Sequence, residues 1–529
     1  MKRITALCTI AAMLITALTA CTKSDADNEQ INERAKEEII TIVETGVITE
    51  AGVYELSGEI DSPIVIDVED GGAVRLVLNG VTLHSKDGSA IHAKGKVNVE
   101  IELADGTVNT LTDGGDSKAA IRVKSDLTIY GNGTLNVTAV NDGIRADNLT
   151  ITGGDFTILT GGGVEASPPR EGGLAGKMPG GFGGDRMPGG FGRENPPAEQ
   201  EDDSVSQKGL KAENLIDISG GVFNINSADD GIHSDGDVRI SGGSFVIKTG
   251  DDGIHADFDV LISGGEIDIP VCYEGIEGLT VTVSGGNIKI YANDDGINAS
   301  DGSSENTGEM GGMPRPGFVA NDDVFFRITG GTVEVHGSDG IDSNGHIFIE
   351  GGTLKLSGPS QSMEAALECD GVVTITGGEV ITAGYLQTVE NTTAQPVIRV
   401  SYRSQVEAAS VIKMRDSHGN TLLQYTSTIA CTVSGFTHPE FKIGETYSLY
   451  INGEKWVDVT ITDNITSIGD DGGAFTADNG GMPGGGGRGG RPNGDWGEMF
   501  PDGMPDWGDM PSRGDRGNMP PRGEIPGWQ

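Results

Sequence analysis

The sequence predicts an all-β fold, a right-handed parallel β-helix closed by an antiparallel β cap, on three observations: a repeat, an alternation and a corner. The stretch SADDGIHSDGDVRISGGSFV, ending at Val246, recurs one step later as GDDGIHADFDVLISGGEI, Gly250 to Ile267. Aligned on the aliphatic residue of the motif, the repeat falls at Ile91, Ile121, Ile144, Val164, Leu210, Ile232, Ile254, Ile276, Ile297, Ile341 and Leu367, with steps of 22, 22, 22 and 21 between Leu210 and Ile297. Each aliphatic residue follows Ala or Gly, and two positions later stands a small residue such as Ala93, Ala212, Ser234 or Ala299. Inward residues flanking an outward one are the period-two pattern of a strand. A period near 22 suits coils of about three short strands stacked ~4.8 Å apart. The corner is a Gly pair beginning at Gly153, Gly220, Gly242, Gly264, Gly285, Gly330, Gly351 and Gly377. A corner that needs positive φ in every coil accounts for it.

Taken in order, the chain opens with Lys2 and Arg3 before an apolar run from Ala6 to Ala20, ending Leu18-Thr19-Ala20-Cys21. This resembles a bacterial lipobox. Residues 1–21 are therefore expected to be a lipoprotein signal peptide, with Cys21 lipidated and the protein held at the cell envelope outside the cytoplasmic membrane; an ordinary signal peptide with an incidental Cys is the alternative. Residues 22–40 read as a polar tether. Residues 41–385 are the expected β-helix, with Gly/Pro/Met-rich inserts at about 168–203 and 302–320. Residues 386–468 lose the period, and PVIRVSYR, VIKMRDSHGNTLLQYT, ETYSLYING and KWVDVTIT read as hairpins covering the last coil. Residues 469–529 are expected to be a disordered tail; Trp496, Trp507 and Trp528 lie in it. Cys272, Cys369 and Cys431, an odd and widely spaced set, are expected to be buried thiols.

The formal net charge of −43 argues against a nucleic-acid partner and against bare anionic lipid. It permits bound calcium. Two residues before the aliphatic position stand Asp142, Asp230, Asp252, Glu274, Asp295 and Asp339; one further back are Asn141, Asp229, Asp251 and Asp294; three after it are Asp147, Glu213, Asp235 and Asp257. Carboxylates stacked ~4.8 Å apart repel by about 3 kcal/mol at an effective dielectric near 20. Calcium, which takes six to eight oxygens, is the natural guest, with Asp229, Asp230, Asp251, Asp252, Asp294, Asp295, Asp235 and Asp257 as candidate ligands. No His/Cys grouping argues for zinc. Asp-Asp-Gly is also ordinary turn chemistry, which accounts for one Asp per turn but poorly for a pair plus a third acid.

The outward residue after the aliphatic position is His92, Arg122, Arg145, Glu165, Lys211, His233, His255, Glu277, Asn298, Asp342 or Glu368. Such a strip is solvated in any strand. Beside calcium, Arg122, Arg145 and Lys211 suit uronate carboxylates and His233 and His255 suit hydroxyls; Arg145, Lys211, His233, His255 and Glu277 are the candidate ligand-binding residues. No Trp/Tyr row lines the repeats, so the aromatic platform usual for neutral glycans is missing.

The runs ITEAGVYELSGEI, VRLVLNGVTLHS, GSAIHAKGKVNVEIELADGTVNTLTDG and DLTIYGNGTLNVTAVNDGIRADNLTITGG, with the DDGIHAD coils, resemble a family of bacterial exported, carbohydrate-binding domain-containing β-helix proteins over about Val47 to Tyr450. The resemblance implies a pectate-lyase-like parallel β-helix, bound calcium and binding of acidic polygalacturonate-type glycans and cellulose. It places calcium-binding pairs on Asp229, Asp230, Asp251, Asp252, Asp294 and Asp295. Tyr273 stands where the coil of Glu274 should carry its second acid, which breaks the series there.

Three functions remain open at this point. The first is a non-catalytic, lipid-anchored, calcium-dependent protein binding an acidic plant or cell-wall polysaccharide such as pectin. The second is a calcium-dependent pectate lyase, which needs a base beside the metal; Lys211 and Lys248 are the nearest lysines, and neither recurs in the repeats. The third is a structural envelope or adhesion stalk.

Overall fold

A computed structural model of the chain describes residues 39–41, 46–170, 206–301, 320–337, 339–358, 360–361, 364–387, 394–469 and 472. The expected signal peptide with Cys21, most of the tether, nearly all of both inserts and the Trp-bearing tail lie outside these residues. Among the described residues the fold is all-β, and the helical content is one 3-10 turn, Gly163–Glu165.

Three parallel ladders run through the repeats. In the first, Ile64, Ile91, Ile121, Ile144, Leu210, Ile232, Ile254, Ile276, Ile297 and Ile341 stack directly on one another. Single bridges carry the column on to Leu367 and Leu386. Every one of these side chains is fully buried. Each contributes roughly 1.5–3 kcal/mol of transfer free energy, more than an exposed ion pair of about 0–1 kcal/mol, so the column rather than the charges outside it sets the register. A second ladder stacks Ile101, Ile129, Ile151, Ile218, Ile240, Ile262, Val283, Ile328, Ile349 and Ile375. The third stacks Leu111, Val137, Ile158, Ile225 and Ile247, then resumes beyond a register shift at Ile269, Ile290, Val335 and Leu356. Beside it Phe156, Phe223 and Phe245 stack face to face at 4.7 and 4.6 Å, close to the strand spacing itself.

The Gly corner behaves as its sequence requires. The second Gly of each pair has positive φ, for example Gly221 at 106° and Gly243 at 103°. The first is pinned by close approach, since a Cβ on Gly242 would lie 2.5 Å from the Ser219 carbonyl oxygen one coil away.

One aligned position is not a rung. The first ladder passes from Ile144 directly to Leu210, and Val164 and Glu165 lie in the 3-10 turn instead. Gly161, Gly162 and Gly163 all take left-handed φ, at 59°, 84° and 69°, and turn the chain off the ladder. Asn226 then holds the turn, accepting from the Val164 amide at 2.9 Å and donating to Glu165 at 3.0 Å. Ile64 and Leu386 are rungs that the motif does not reveal, because Pro63 and Tyr385 replace the usual Ala or Gly before them.

Past Leu386 the pairing changes character. The strand Glu379–Ala383 pairs in parallel with Thr353–Ser357 on one side and antiparallel with Cys431–Thr437 on the other. An antiparallel strand thus covers backbone groups that the next coil would have taken. Val411–Arg415 and Thr421–Thr426 form a hairpin, as do Thr446–Ile451 and Glu454–Thr460. Val397–Val406 departs from the all-hairpin expectation by pairing in parallel with Ile465–Gly469. A second core, including Ile398, Met414, Phe436 and Leu449, fills this part. Cys272, Cys369 and Cys431 are buried free thiols.

The Phe stack gives a direct test of the interior. Phe223→Ala, in the middle of the stack, is expected to cost about 3–5 kcal/mol in urea unfolding, whereas Phe258→Ala, at an exposed position, should stay within about 0.5 kcal/mol.

Candidate functional site

Because the aliphatic residues stack in register, the residues between them do too. His92, Arg122, Arg145, Lys211, His233, His255, Glu277, Asn298 and Asp342 form one outward row along the first ladder. The row starts basic and ends acidic. Glu165, displaced into the turn, is not part of it.

Beside the row runs the acidic corner, two and three residues before each rung. Its column reads Asp142, Lys208, Asp230, Asp252, Glu274, Asp295, Asp339. Lys208 is the one cation in that series. Its ammonium donates to Asp229 Oδ2 at 3.0 Å and to Asp230 Oδ2 at 2.7 Å. Burial works against the charge on Lys208, but the two aspartates outweigh it and hold the amine well above its ordinary pKa. Asp142 is satisfied by Ser206, the Lys208 amide and Arg145 at 2.6, 3.0 and 3.1 Å.

The eight carboxylates named as candidate calcium ligands fall into several groups. Asp229, Asp230 and Asp251 present oxygens within 4.8 Å of one another, and so do Asp294, Asp295 and Asp339. Asp252 groups with His255 and Glu277, while Asp235 and Asp257 group with His233. The cause is the imidazole. His233 Nδ1 lies 2.7 Å from Asp230 Oδ2 and its Nε2 lies 3.0 Å from Asp235 Oδ1, so the ring stands between the pair and the third acid. His255 repeats the arrangement one coil on, 3.1 Å from Asp252, 3.4 Å from Glu277 and 3.6 Å from Asp257. The histidines therefore belong to the acid clusters as well as to the outward row, a grouping that sequence spacing did not disclose.

Electrostatics differ between the two carboxylate triads. Burial opposes ionisation of Asp230, yet the His233 hydrogen bond and the Lys208 charge hold its carboxyl well below the usual range. Burial and the charges of Asp252 and Asp230 push Asp251 up to about 6, although Arg170 donates to it at 2.9 Å. Asp295 is pushed far higher, by burial first and then by Glu274, Asp342, Asp294 and Asp339. Burial, followed by the charges of Asp252 and Glu277, raises Glu274 to about 9. Carboxyl crowding is thus marked around Asp295, and the Asp294, Asp295 and Asp339 oxygens form an all-oxygen donor set that fits a hard divalent cation. At Asp229–Asp230–Asp251 the protein supplies its own cations, Lys208 and Arg170.

Tyr273, the departure noted in sequence, separates the triads. Its hydroxyl donates to Asp294 Oδ2 at 2.7 Å, and Arg170 lies over its ring at 4.2 Å. Arg170 comes from the start of the first insert, and its carbonyl accepts from Asn293 at 2.8 Å. Of the remaining candidates, Arg145 donates to Glu213 at 2.8 Å and Lys211 is paired with Asp235. Lys248 sits on the third ladder, opposite Asn226. The lysine that does touch an acid pair, Lys208, is held protonated.

The sequence pattern of the carbohydrate-binding domain-containing protein family matches residues 43–160, 137–253, 235–313 and 251–380, overlapping segments that advance along the repeats. A carbohydrate-binding domain-containing protein of Acetivibrio thermocellus is 37% identical over 145 residues, 25% of this chain and 51% of that protein, so the match spans about half of the relative's length. A solved polysaccharide lyase-like protein from C. thermocellum, a gadolinium derivative, aligns over 67% of this chain and 97% of its own at 22% identity, with a TM-score of 0.25.

Removing Lys208 leaves the buried Asp230 carboxylate beside the half-buried Asp229 with no lysine between them. Lys208→Met is expected to lower stability by about 3–5 kcal/mol in chelator-treated protein, against about 1 kcal/mol or less for the exposed Arg170→Ala. Equal, small losses in chemical unfolding would show that Lys208 is not the compensating charge.

Proposed function

The chain belongs to the carbohydrate-binding domain-containing family, and from that premise we propose that it is a non-catalytic, calcium-dependent polysaccharide-binding lipoprotein of the bacterial envelope. In this reading the stack is a right-handed parallel β-helix, Cys21 carries the lipid anchor, and the ligand is an acidic polysaccharide of the pectin or cell-wall type lying along the outward row.

The observation that carries the proposal is the Asp294–Asp295–Asp339 corner, whose three carboxylates converge within 4.8 Å beside an outward row ending in Asn298 and Asp342. Calcium held there would neutralise the crowding that raises Asp295 and would present open coordination positions to glycan carboxylates. Asp229, Asp230 and Asp251 form a second candidate seat, where a metal has to displace the Lys208 ammonium. Asp252, Asp235 and Asp257 act through His255 and His233 and position the row. Binding rather than elimination is favoured by the lysines. A lyase base must be neutral beside the metal, whereas Lys208 and Lys211 are both committed to carboxylates.

Calorimetric titration should detect calcium binding that weakens at least about tenfold in Asp295→Asn/Asp339→Asn, the loss of two charged ligands. Retention on polygalacturonate should fall on adding chelator. Calcium binding unchanged in the double variant would remove Asp295 and Asp339 as ligands. Ultraviolet-absorbing unsaturated product released from polygalacturonate would overturn the non-catalytic reading.

A further inference from the structure

The basic end of the outward row lines a groove of its own. A cleft of about 590 Å³ is bordered by Lys94, Lys96, Lys118, Arg122, Lys124 and Arg145. Only Asp70, Asp147 and Glu213 oppose them. This local excess of positive charge stands in a chain of formal net charge −43. The volume is within the ~300–1,000 Å³ of ordinary ligand clefts.

The repeat makes the charge reversal specific. Lys94 and Lys124 occupy the position three residues after Ile91 and Ile121, where the following coils carry Asp147, Glu213, Asp235 and Asp257. Arg122 stacks between His92 and Arg145 in the outward row. Side by side along a ladder, two guanidinium groups repel unless an anion lies between or before them. Some of these cations are already engaged, Arg145 with Asp142 and Glu213, and Lys94 with Asp67 at 3.1 Å. Among the described residues, Arg122 and Lys124 make no ion pair within 4.0 Å, and both reach the groove.

We propose that this groove is an anion subsite which takes the carboxylate or sulfate groups of an acidic glycan directly on Arg122 and Lys124, without a bridging metal. The proposal rests on the carbohydrate-binding reading above and assigns the two ends of one face different chemistry. The guanidinium of Arg122 offers the planar fork that pairs two oxygens of one anionic group, and the mobile ammonium of Lys124 follows the next group along the chain. His92 fits the same picture. Burial, followed by the charges of Arg122, Lys124 and Lys94, lowers its pKa, so it stays neutral and serves as a hydrogen-bonding partner for a sugar hydroxyl.

The test is calorimetry on the full-length protein in chelator, with three probes: a galacturonate oligomer, a heparin-derived oligosaccharide, and the methyl-esterified galacturonate oligomer as the uncharged match. The subsite predicts binding of at least one charged probe and not of the ester, weakening as salt rises. It also predicts a loss of about tenfold or more in Arg122→Ala/Lys124→Ala, whose melting temperature should stay at the wild-type value because neither side chain is buried. Which charged probe binds separates carboxylate from sulfate. If every interaction disappears in chelator, and the double variant equals wild type once calcium is restored, the subsite is overturned while the calcium reading stands. If no glycan binds with or without calcium, both are overturned.

Discussion

Like sits upon like in this molecule. Each coil places its residues directly above the equivalent residues of the coil below, at the strand spacing of ~4.8 Å. Inside, that constraint is favourable, because Ile on Ile and Phe on Phe fill space and exclude water with no polar group to satisfy. Outside, the same constraint stacks charge on charge. The hydrophobic column is strong enough to impose the register, so the exterior must adapt to it.

The adaptations differ from coil to coil. Lys208 interrupts the acidic column between Asp142 and Asp230. His233 and His255 insert imidazoles between carboxylates on either side. Arg170 reaches back from the first insert to Asp251. Around Asp295, burial and the neighbouring Glu274, Asp342, Asp294 and Asp339 hold a carboxyl well above its ordinary range. The cation-binding reading rests on that crowding, whereas at Asp229 and Asp230 a metal has to compete with Lys208.

Most of the interior was legible from sequence because it depends on two short-range rules, the alternation within a strand and the positive φ of the Gly corner. Val164 was misleading since its neighbours imitate a rung, and three consecutive left-handed glycines decide otherwise. The site was less legible. Lys208 occupies a column position of the motif, two residues before Leu210, yet the insert breaks the period just ahead of it and hides the substitution. The splitting of the acids into separate clusters depends on which way two imidazoles face, and spacing carries no information about side-chain direction. The groove at Arg122 depends on short segments from several coils, around Lys94, Arg122, Arg145 and Glu213, that lie far apart in sequence.

The unbroken register also makes the face a ruler. From the rung of Arg122 to the rung of Asn298 there are six coil steps, a distance of about 29 Å at the strand spacing. No monosaccharide or disaccharide bridges such a length. A ligand that engages both ends has to be an extended polymer, and its threshold size is fixed by the number of coils between them. Inserting or deleting one coil would move that threshold by a single increment while leaving the chemistry of either end intact.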